Sequence, residues 1–362
     1  MVTDAAAMDR ALEVARRGWG RVTPNPLVGA VLLRDGVVLG EGYHGEFGGP
    51  HAETVALSHV ADPSGATCVV TLEPCAHHGK TPPCVDTLIR AGIARVVIAI
   101  PDPHPEAGGG AAKLESAGID VAKGLRREAA AALNAPFLFN ATNGERPFLA
   151  VKMATSLDGF VADESGASQW VSGPEAREFV HWLRAGFDAI AVGSGTAMQD
   201  DPQLTVRGPV QPRSAPTRVI FSRTGALRPT LRALATAREV PTTVVVAPER
   251  AVQTEKLLVN TGANVLAADS LADALRALKK AGVESMLVEG GGSIVGALLE
   301  AGLVNRLYWI QAPIWLGRGT PAFGTRGAVP LSDASRWTIT ESRRLGRDSL
   351  LVVDEQLCLQ ES

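Results

Sequence analysis

The chain is poor in the features that would place it outside the ordinary globular enzymes. Four cysteines (Cys68, Cys75, Cys84 and Cys358) in 362 residues are too few for a secreted disulfide framework. A net charge of -3 offers no broad attraction to nucleic acid or to an anionic membrane. Aromatic residues make up only 5% of the chain, and no basic-aromatic patch of the kind that stacks on RNA bases is present. No apolar run reaches the length of about 18 residues that a membrane span needs. The opening MVTDAAAMDRALEVARRG carries charges throughout and lacks the apolar core of a signal peptide. These absences predict a soluble, cytoplasmic protein.

What is present is a hydrophobic content of 46% in a chain long enough for two domains. Helical spacing covers Ala5 to Arg17. Strand-like runs at Val28 to Leu33 and Val37 to Tyr43 flank Arg34-Asp35-Gly36, a hairpin signal. A helix starts near His51, the strand Thr67 to Leu72 follows, then a helix from about Pro83 to Ala91 and the strand Arg95 to Ala99. The stretch Asn134 to Pro147 reads as the joint, giving domains 1-145 and 146-362. Beyond it the rhythm restarts with Phe148 to Met153, the helix Gly173 to Ala185, and buried-strand runs ending at Val192, Phe221, Ala247 and Glu289. Alternating strands and helices predict an α/β fold in both halves.

The densest chemistry lies in Pro50-His51-Ala52-Glu53 and in EPCAHHGKTPPC at 73-84. Zinc takes four ligands from Cys and His, and a catalytic site leaves one position for water. His51, Cys75 and Cys84 supply three. Glu53 sits in the same first helical turn as His51, where it can move a proton between water and a leaving amine. Cys84, after two prolines at a helix start, gains from the positive end of the helix dipole. The H-x-E plus P-C pattern is that of zinc nucleobase deaminases, except that eight residues replace the usual two between the cysteines. A structural zinc closed by His77 or His78 is the alternative, and Cys68 and Cys358 read as small buried apolar residues. In the second half, Gly290-Gly291-Gly292-Ser293 follows a buried strand and opens a helix, an arrangement suited to a phosphate. By itself it reads more readily as a tight turn, since no full G-x-G-x-x-G is present.

TPNPLVGAV, GYH, PHAE and TLEPCAHHGKTPPC, followed by KMATSLDG, SQWVS, DDPQLTVR and EGGGS, together resemble the bifunctional riboflavin-biosynthesis deaminase/reductase family over nearly the whole chain. The resemblance implies a cytidine-deaminase-like three-layer domain followed by a dihydrofolate-reductase-like doubly wound α/β domain. It implies deamination of 2,5-diamino-6-(5-phosphoribosylamino)pyrimidin-4(3H)-one, then reduction of the ribosyl group to ribityl with NADPH. His51, Cys75 and Cys84 would bind zinc, Glu53 would shuttle protons, and Asn25, His44, His77 and Lys80 would touch the pyrimidine or its ribose phosphate. Along the cofactor it places Ala154, Trp170, Thr196, Asp200, Ser222, Gly291, Gly292, Ser293, Ile294, Val295, Gly296 and Ala297. Toward the substrate it places Ser168, Arg184, Leu204, Arg207 and Glu289, with Arg184 and Arg207 as a phosphate clamp. Lys152 and Asp158 shape the pocket from K-x-x-x-S-L-D-G. Trp170 as a core aromatic and Asp200-Asp201-Pro202 as a plain turn are the bland alternatives. Phe221, where the family commonly has Asp, leaves the adenosine end open. Relatives assemble as homo-oligomers. The rival functions are a deaminase of another nucleobase with a degenerate second domain, and a zinc-stabilised nucleic-acid-binding protein.

Overall fold

The computed structural model describes residues 1-77, 82-104, 108-142, 144-323, 330-334 and 336-355. The chain folds as two compact units, Met1–Asn143 and Gly144–Gln356.

The first unit opens with helix α1 (Asp4–Ala15), capped by the Thr3 hydroxyl accepting from the Ala6 amide at 3.2 Å. Strands β1 (Gly29–Arg34) and β2 (Val37–Tyr43) form the expected hairpin. Its turn is Asp35-Gly36, with φ of 53° and 73°, the paired left-handed residues that suit a two-residue hairpin. Then come α2 (Ala52–Ser58), β3 (Thr67–Leu72), α3 (Cys84–Arg90), β4 (Arg95–Ile100), α4 (Gly110–Ser116), β5 (Asp120–Lys123), α5 (Arg127–Leu133) and α6 (Ala135–Thr142). The five-stranded sheet runs β2-β1-β3-β4-β5, antiparallel at β2-β1-β3 and parallel beyond.

Alternation along the strands makes the three layers. Val31, Leu33, Val69, Val97 and Ala99 pack against α1, α5 and α6. Ala30, Leu32, Cys68, Val70, Val96 and Ile98 pack against α2, α3 and α4. Cys68 is thus a core residue, as its apolar reading predicted, while Cys358 lies outside the described residues. Helix α2 lies directly on β2: a Cβ on Gly42 would sit 2.4 Å from the Ala56 nitrogen and 2.5 Å from the Ala52 oxygen. Only glycine permits that approach, and it sets the start of α2 against the end of β2.

The stretch expected to be the joint is largely α6, and the unit boundary, between Asn143 and Gly144, falls inside it just after that helix. Asn134, between α5 and α6, accepts from the Leu27 amide at 2.8 Å and donates to the Leu27 carbonyl at 3.0 Å. Its loop-like composition conceals a buried two-bond anchor.

The second unit contains β6 (Phe148–Thr155), β7 (Phe160–Ala162), α7 (Pro174–Arg184), β8 (Ala189–Gly193), α8 (Ser194–Asp200), β9 (Thr217–Phe221), α9 (Arg232–Ala235), β10 (Thr242–Val246), α10 (Ala251–Leu258), β11 (Asn264–Ala267), α11 (Leu271–Lys280), β12 (Ser285–Glu289), α12 (Gly292–Glu300), β13 (Arg306–Gln311), β14 (Thr320–Pro321), β15 (Thr338–Leu345) and β16 (Asp348–Asp354). Its nine-stranded sheet is ordered β11-β10-β9-β8-β12-β6-β13-β16-β15. Strands β11 through β13 are parallel, and β16 and β15 close one edge as an antiparallel hairpin. Ala189, Ala191, Val219 and Val288 face one apolar layer, and Ile190, Val192, Ile220 and Val244 face the other. The chain leaves β6 for β8 to β11, then returns to insert β12 between β8 and β6. In such sheets ligands bind at the carboxyl ends of the strands near the reversal. Those ends are Thr155, Gly193, Phe221, Glu289 and Gln311. Among the described residues no helix is long and apolar enough to cross a membrane.

Candidate active sites

In the first unit, Cys75 sits in the loop after β3, Cys84 begins α3, and His51 is the N-cap of α2. His51 Nδ1 lies 3.2 Å from Cys84 Sγ and 3.5 Å from Cys75 Sγ, and all three donor atoms fall within 4.8 Å of one another. A tetrahedral zinc with ordinary Zn–N and Zn–S bonds spaces its nitrogen and sulfur ligands at about 3.5 Å, so the trio fits the metal. No fourth side chain joins the group among the described residues. His77 is exposed beside Cys75, while His78 and Lys80 lie outside the described residues.

The trio is electrostatically prepared. The Cys84 backbone amide donates to Cys75 Sγ at 3.4 Å. A hydrogen bond from the Cys84 thiol, opposed by burial and aided by His51, brings the Cys75 thiol down to about 4. Cys84 keeps the proton of the pair and is pushed up. The Cys75 sulfur raises His51, against the effect of burial. Glu53, in the first turn of α2, is 3% exposed. Burial raises its carboxyl above the ordinary range, with its own backbone amide opposing.

His44 and Asn25 meet beside this trio. His44 is buried, its Nδ1 is 3.0 Å from the Pro50 carbonyl, and its Nε2 is 3.1 Å from Asn25 Nδ2. The carbonyl can only accept, so Nδ1 donates and Nε2 accepts from the amide. Burial holds the ring neutral. The His44 ring thereby fixes the residue just before His51. Glu73 was missed in the sequence: its carboxylate accepts from the amides of Asp102 at 3.3 Å and Ala111 at 2.8 Å, tying the Cys75 loop to α4. The E-P-C run carried that signal.

In the second unit, Ala154, Thr196, Ser222, Glu289 and Gly291 lie at or just after the carboxyl ends of β6, β8, β9 and β12. Gly290 and Gly291 turn with φ of 66° and 81°, and a Cβ on Gly291 would lie 2.9 Å from Thr196 Oγ1. The turn leads into the N-terminus of α12, a seat for a phosphate. Ser222, just after β9, has a buried hydroxyl with no hydrogen-bond partner among the described residues. Asp200, at the end of α8, accepts from Ser168 Oγ at 3.3 Å, and burial raises its carboxyl. A phosphate seat, an unmatched hydroxyl and an open row of strand ends fit a dinucleotide.

Several expected positions are corrected. Trp170 is no core aromatic: it is 65% exposed, with the Arg177 guanidinium 4.6 Å over its ring. Val295 points into the core, while Ser293 is exposed and Ile294, Gly296 and Ala297 are partly exposed on α12. Leu204 packs its side chain in the core with φ of 52°, so only its backbone is available to a ligand. The clamp of two free arginines is not what forms. Arg184 reaches Glu289 through Nε–Oε1 at 2.5 Å and Nη2–Oε2 at 2.8 Å, and its Nη1 donates to the Thr205 carbonyl at 2.9 Å. Arg207 is exposed and contacts Gln203 and His181. Lys152 pairs in register with Glu289 on the neighbouring strand, and Ala154 lies two residues further along β6. Burial lowers the Lys152 amine, with Glu289 opposing. Burial pushes Glu289 up, but Arg184 and Lys152 outweigh it and hold the carboxyl below its usual range. Asp158 accepts from the amides of Leu316 at 3.3 Å and Gly317 at 2.7 Å, so it pins a loop.

A zinc-ligating trio with a buried carboxyl in one unit, and a dinucleotide-type strand-end site in the next, define a two-domain deaminase and reductase. Residues 1-100 match the family description of the cytidine and deoxycytidylate deaminase zinc-binding region, and residues 147-351 match the RibD C-terminal domain. The chain is 40% identical to the riboflavin biosynthesis protein RibD of Escherichia coli K12, covering 96% of this chain and 98% of that one. Identity to its Aquifex aeolicus counterpart is 38%, over 96% and 97% of the two chains. The crystal structure of a Thermotoga maritima diaminohydroxyphosphoribosylaminopyrimidine deaminase/5-amino-6-(5-phosphoribosylamino)uracil reductase superposes with a TM-score of 0.81 at 35% identity, covering 97% and 98%. The chain belongs to the RibD family of riboflavin-biosynthesis enzymes, which join a zinc-dependent deaminase to an NADPH-linked reductase.

Proposed function

We propose that residues 1-145 deaminate 2,5-diamino-6-(5-phosphoribosylamino)pyrimidin-4(3H)-one at ring C2, and that residues 146-362 reduce the ribosyl group of the product to ribityl. The observation that carries the first step is the spacing of His51, Cys75 and Cys84 with Glu53 buried beside them. When bound, zinc supplies the Lewis acidity that makes water a nucleophile near neutral pH. Glu53 would take a proton from the attacking water as its oxygen bonds to C2 and return it to the amine as the C2–N bond breaks, so that ammonia leaves and the ring keeps the oxygen as a carbonyl, with the second water proton on a ring nitrogen. Its raised pKa suits a group that works in both directions. Asn25 and His44 line the same site, and His77 and Lys80 are assigned to the ribose phosphate.

In the reductase, NADPH supplies the hydride. Thr196, Asp200, Ser222 and the 291-297 turn and helix hold the cofactor, flanked by Ala154 and Trp170. Glu289, held ionised by Arg184 at the end of β12, and Lys152, opposite it on β6, are assigned to the reacting ribose. Ser168, the Leu204 backbone and the Arg207 guanidinium take the substrate, with Arg207 on its phosphate. The enzyme is read as a cytoplasmic homo-oligomer that binds neither nucleic acid nor membrane: its net charge of -3 gives polyanions no purchase, and its free buried thiols suit a reducing compartment.

Metal analysis of the purified protein with an ammonia assay tests the reading. One zinc per chain and ammonia from the diaminopyrimidine, not from cytidine, is expected. Ammonia from cytidine alone would transfer the chain to another nucleobase.

A further inference from the structure

The segment Gln203 to Arg207 precedes no helix or strand of its own until β9, yet its backbone is fixed at every second residue. Arg218 Nη1 donates to the Gln203 carbonyl at 3.3 Å, Arg184 Nη1 to the Thr205 carbonyl at 2.9 Å, and the Arg207 amide lies 3.3 Å from His181 Nδ1. Between the first two anchors Leu204 holds a left-handed φ of 52°, a conformation that persists for a branched side chain only when its surroundings over-determine it.

Two of these anchors belong to no site described above. Arg218, on β9, is 1% exposed. Its remaining bonds go to Thr242 Oγ1 at 2.9 Å, Thr236 Oγ1 at 2.8 Å, and the carbonyls of Thr236 at 2.9 Å and Val240 at 2.8 Å. Every one of these acceptors is neutral. Burial lowers the Arg218 guanidinium, Glu239 opposes this only through space, and the hydrogen bonds to neutral acceptors offset most of the remaining cost. A buried apolar residue would fill the same space on β9 but could not reach Gln203. His181 lies one turn before Arg184 on α7, on the same helical face. It is faced by Arg184 and Arg207, and by Glu289 behind them. Burial and the two guanidinium groups bring it down to about 4, so the ring is neutral. Its two nitrogens both face Arg207, Nδ1 at 3.3 Å from the backbone amide and Nε2 at 3.4 Å from the guanidinium Nη2, and the neutral ring accepts from one of them at a time while the Thr205 backbone also bonds the ring.

We propose that His181 and Arg218 are positioning residues of the reductase, which fix the Gln203–Arg207 segment and so aim the Arg207 guanidinium at the substrate phosphate. The inference rests on the reading of Arg207 as the phosphate contact. Neither residue touches the cofactor or the reacting ribose.

The test measures three things on the full chain: KM for the deaminated, phosphorylated substrate, KM for the same compound without phosphate, and amide exchange of residues 203-207. For His181→Phe, which keeps a ring but removes the acceptor, KM for the phosphorylated compound should rise by up to about tenfold, the upper end of what a neutral hydrogen bond contributes. KM for the unphosphorylated compound should stay put, exchange at 203-207 should quicken, and the NADPH Kd should hold. His181→Asn, whose Oδ1 replaces Nδ1, should restore most of the loss. Arg218→Lys should shift the same two readouts in the same direction. Unchanged KM and exchange in His181→Phe would overturn the proposal. So would equal losses for both compounds and NADPH, which mark general loosening. An Arg207→Ala chain with unaltered KM would refute the phosphate reading alone, and exchange at 203-207 would still decide whether His181 and Arg218 hold the segment.

Discussion

Arg184 and Glu289 meet as a two-armed ion pair, with both nitrogen–oxygen distances at or below 2.8 Å and both side chains 11% exposed. The pair joins the last turn of α7 to the end of β12 and so contributes to the stability of the second unit. Breaking it by Glu289→Gln leaves a buried guanidinium with no counter-charge and should cost about 3-5 kcal/mol, read as a lower urea midpoint for the reductase transition. The pH dependence has a definite sign. Glu289 is held below its usual range, so the pair's contribution is complete above the unfolded value of about 4.3 and is lost as pH falls through the lower folded value. Acid titration of the wild type should show this loss below about pH 4, and Glu289→Gln should lack it.

Glu53→Gln keeps the shape of the buried carboxyl and removes its ability to carry a proton. Deamination should fall by about a hundredfold to ten-thousandfold, while zinc content and NADPH-dependent reduction of already deaminated substrate persist. Ammonia release at the full rate would take Glu53 out of the proton path.

Zinc binding should weaken as pH falls, because His51 and the thiols must be deprotonated to ligate and the Cys75 sulfur raises His51. A chelator should therefore strip the metal faster at about pH 5.5 than at about pH 8, on either side of the ordinary histidine value. Deamination should vanish with the metal and return on adding zinc, and reduction should be indifferent throughout.

Gly291→Ala adds a methyl 2.9 Å from Thr196 Oγ1 at a backbone φ of 81°. A left-handed alanine costs about 1-2 kcal/mol, and the turn must open to relieve it. NADPH affinity, followed by cofactor fluorescence, should weaken by about tenfold for each 1.4 kcal/mol transmitted to the site, with ammonia release untouched. Full NADPH affinity in this variant would place the cofactor phosphate away from the turn.

Much of this protein was legible in order along the chain. The Asp35-Gly36 turn, the strands at Thr67–Leu72 and Ser285–Glu289, and the H-x-E helix start each depend on a few neighbouring residues. What eluded the sequence involved distant partners. Asn134 looked like loop composition because its two hydrogen bonds run to Leu27, 107 positions earlier. Arg184 looked like a phosphate ligand because its carboxylate lies on a strand 105 positions later. Val295, expected along the cofactor, is buried in the core, and Trp170 is exposed, which its alternative reading as a core aromatic did not anticipate; exposure follows from the packing around each and not from its own hydrophobicity.

The sequence by itself pointed to the chemistry: one imidazole, two sulfurs and a carboxyl at spacings that suit a zinc deaminase, and glycines where a backbone must turn left-handed. These are properties of residue type and local geometry, and they survive in a one-dimensional reading. The tertiary structure alone decided which charges are free to act. A guanidinium binds a ligand only if folding has not already given it a carboxylate, and that depends on which strand and helix ends the sheet order brings together. So Arg184 is paired with Glu289 across 105 positions, while Arg207 stays exposed beside Gln203 and His181.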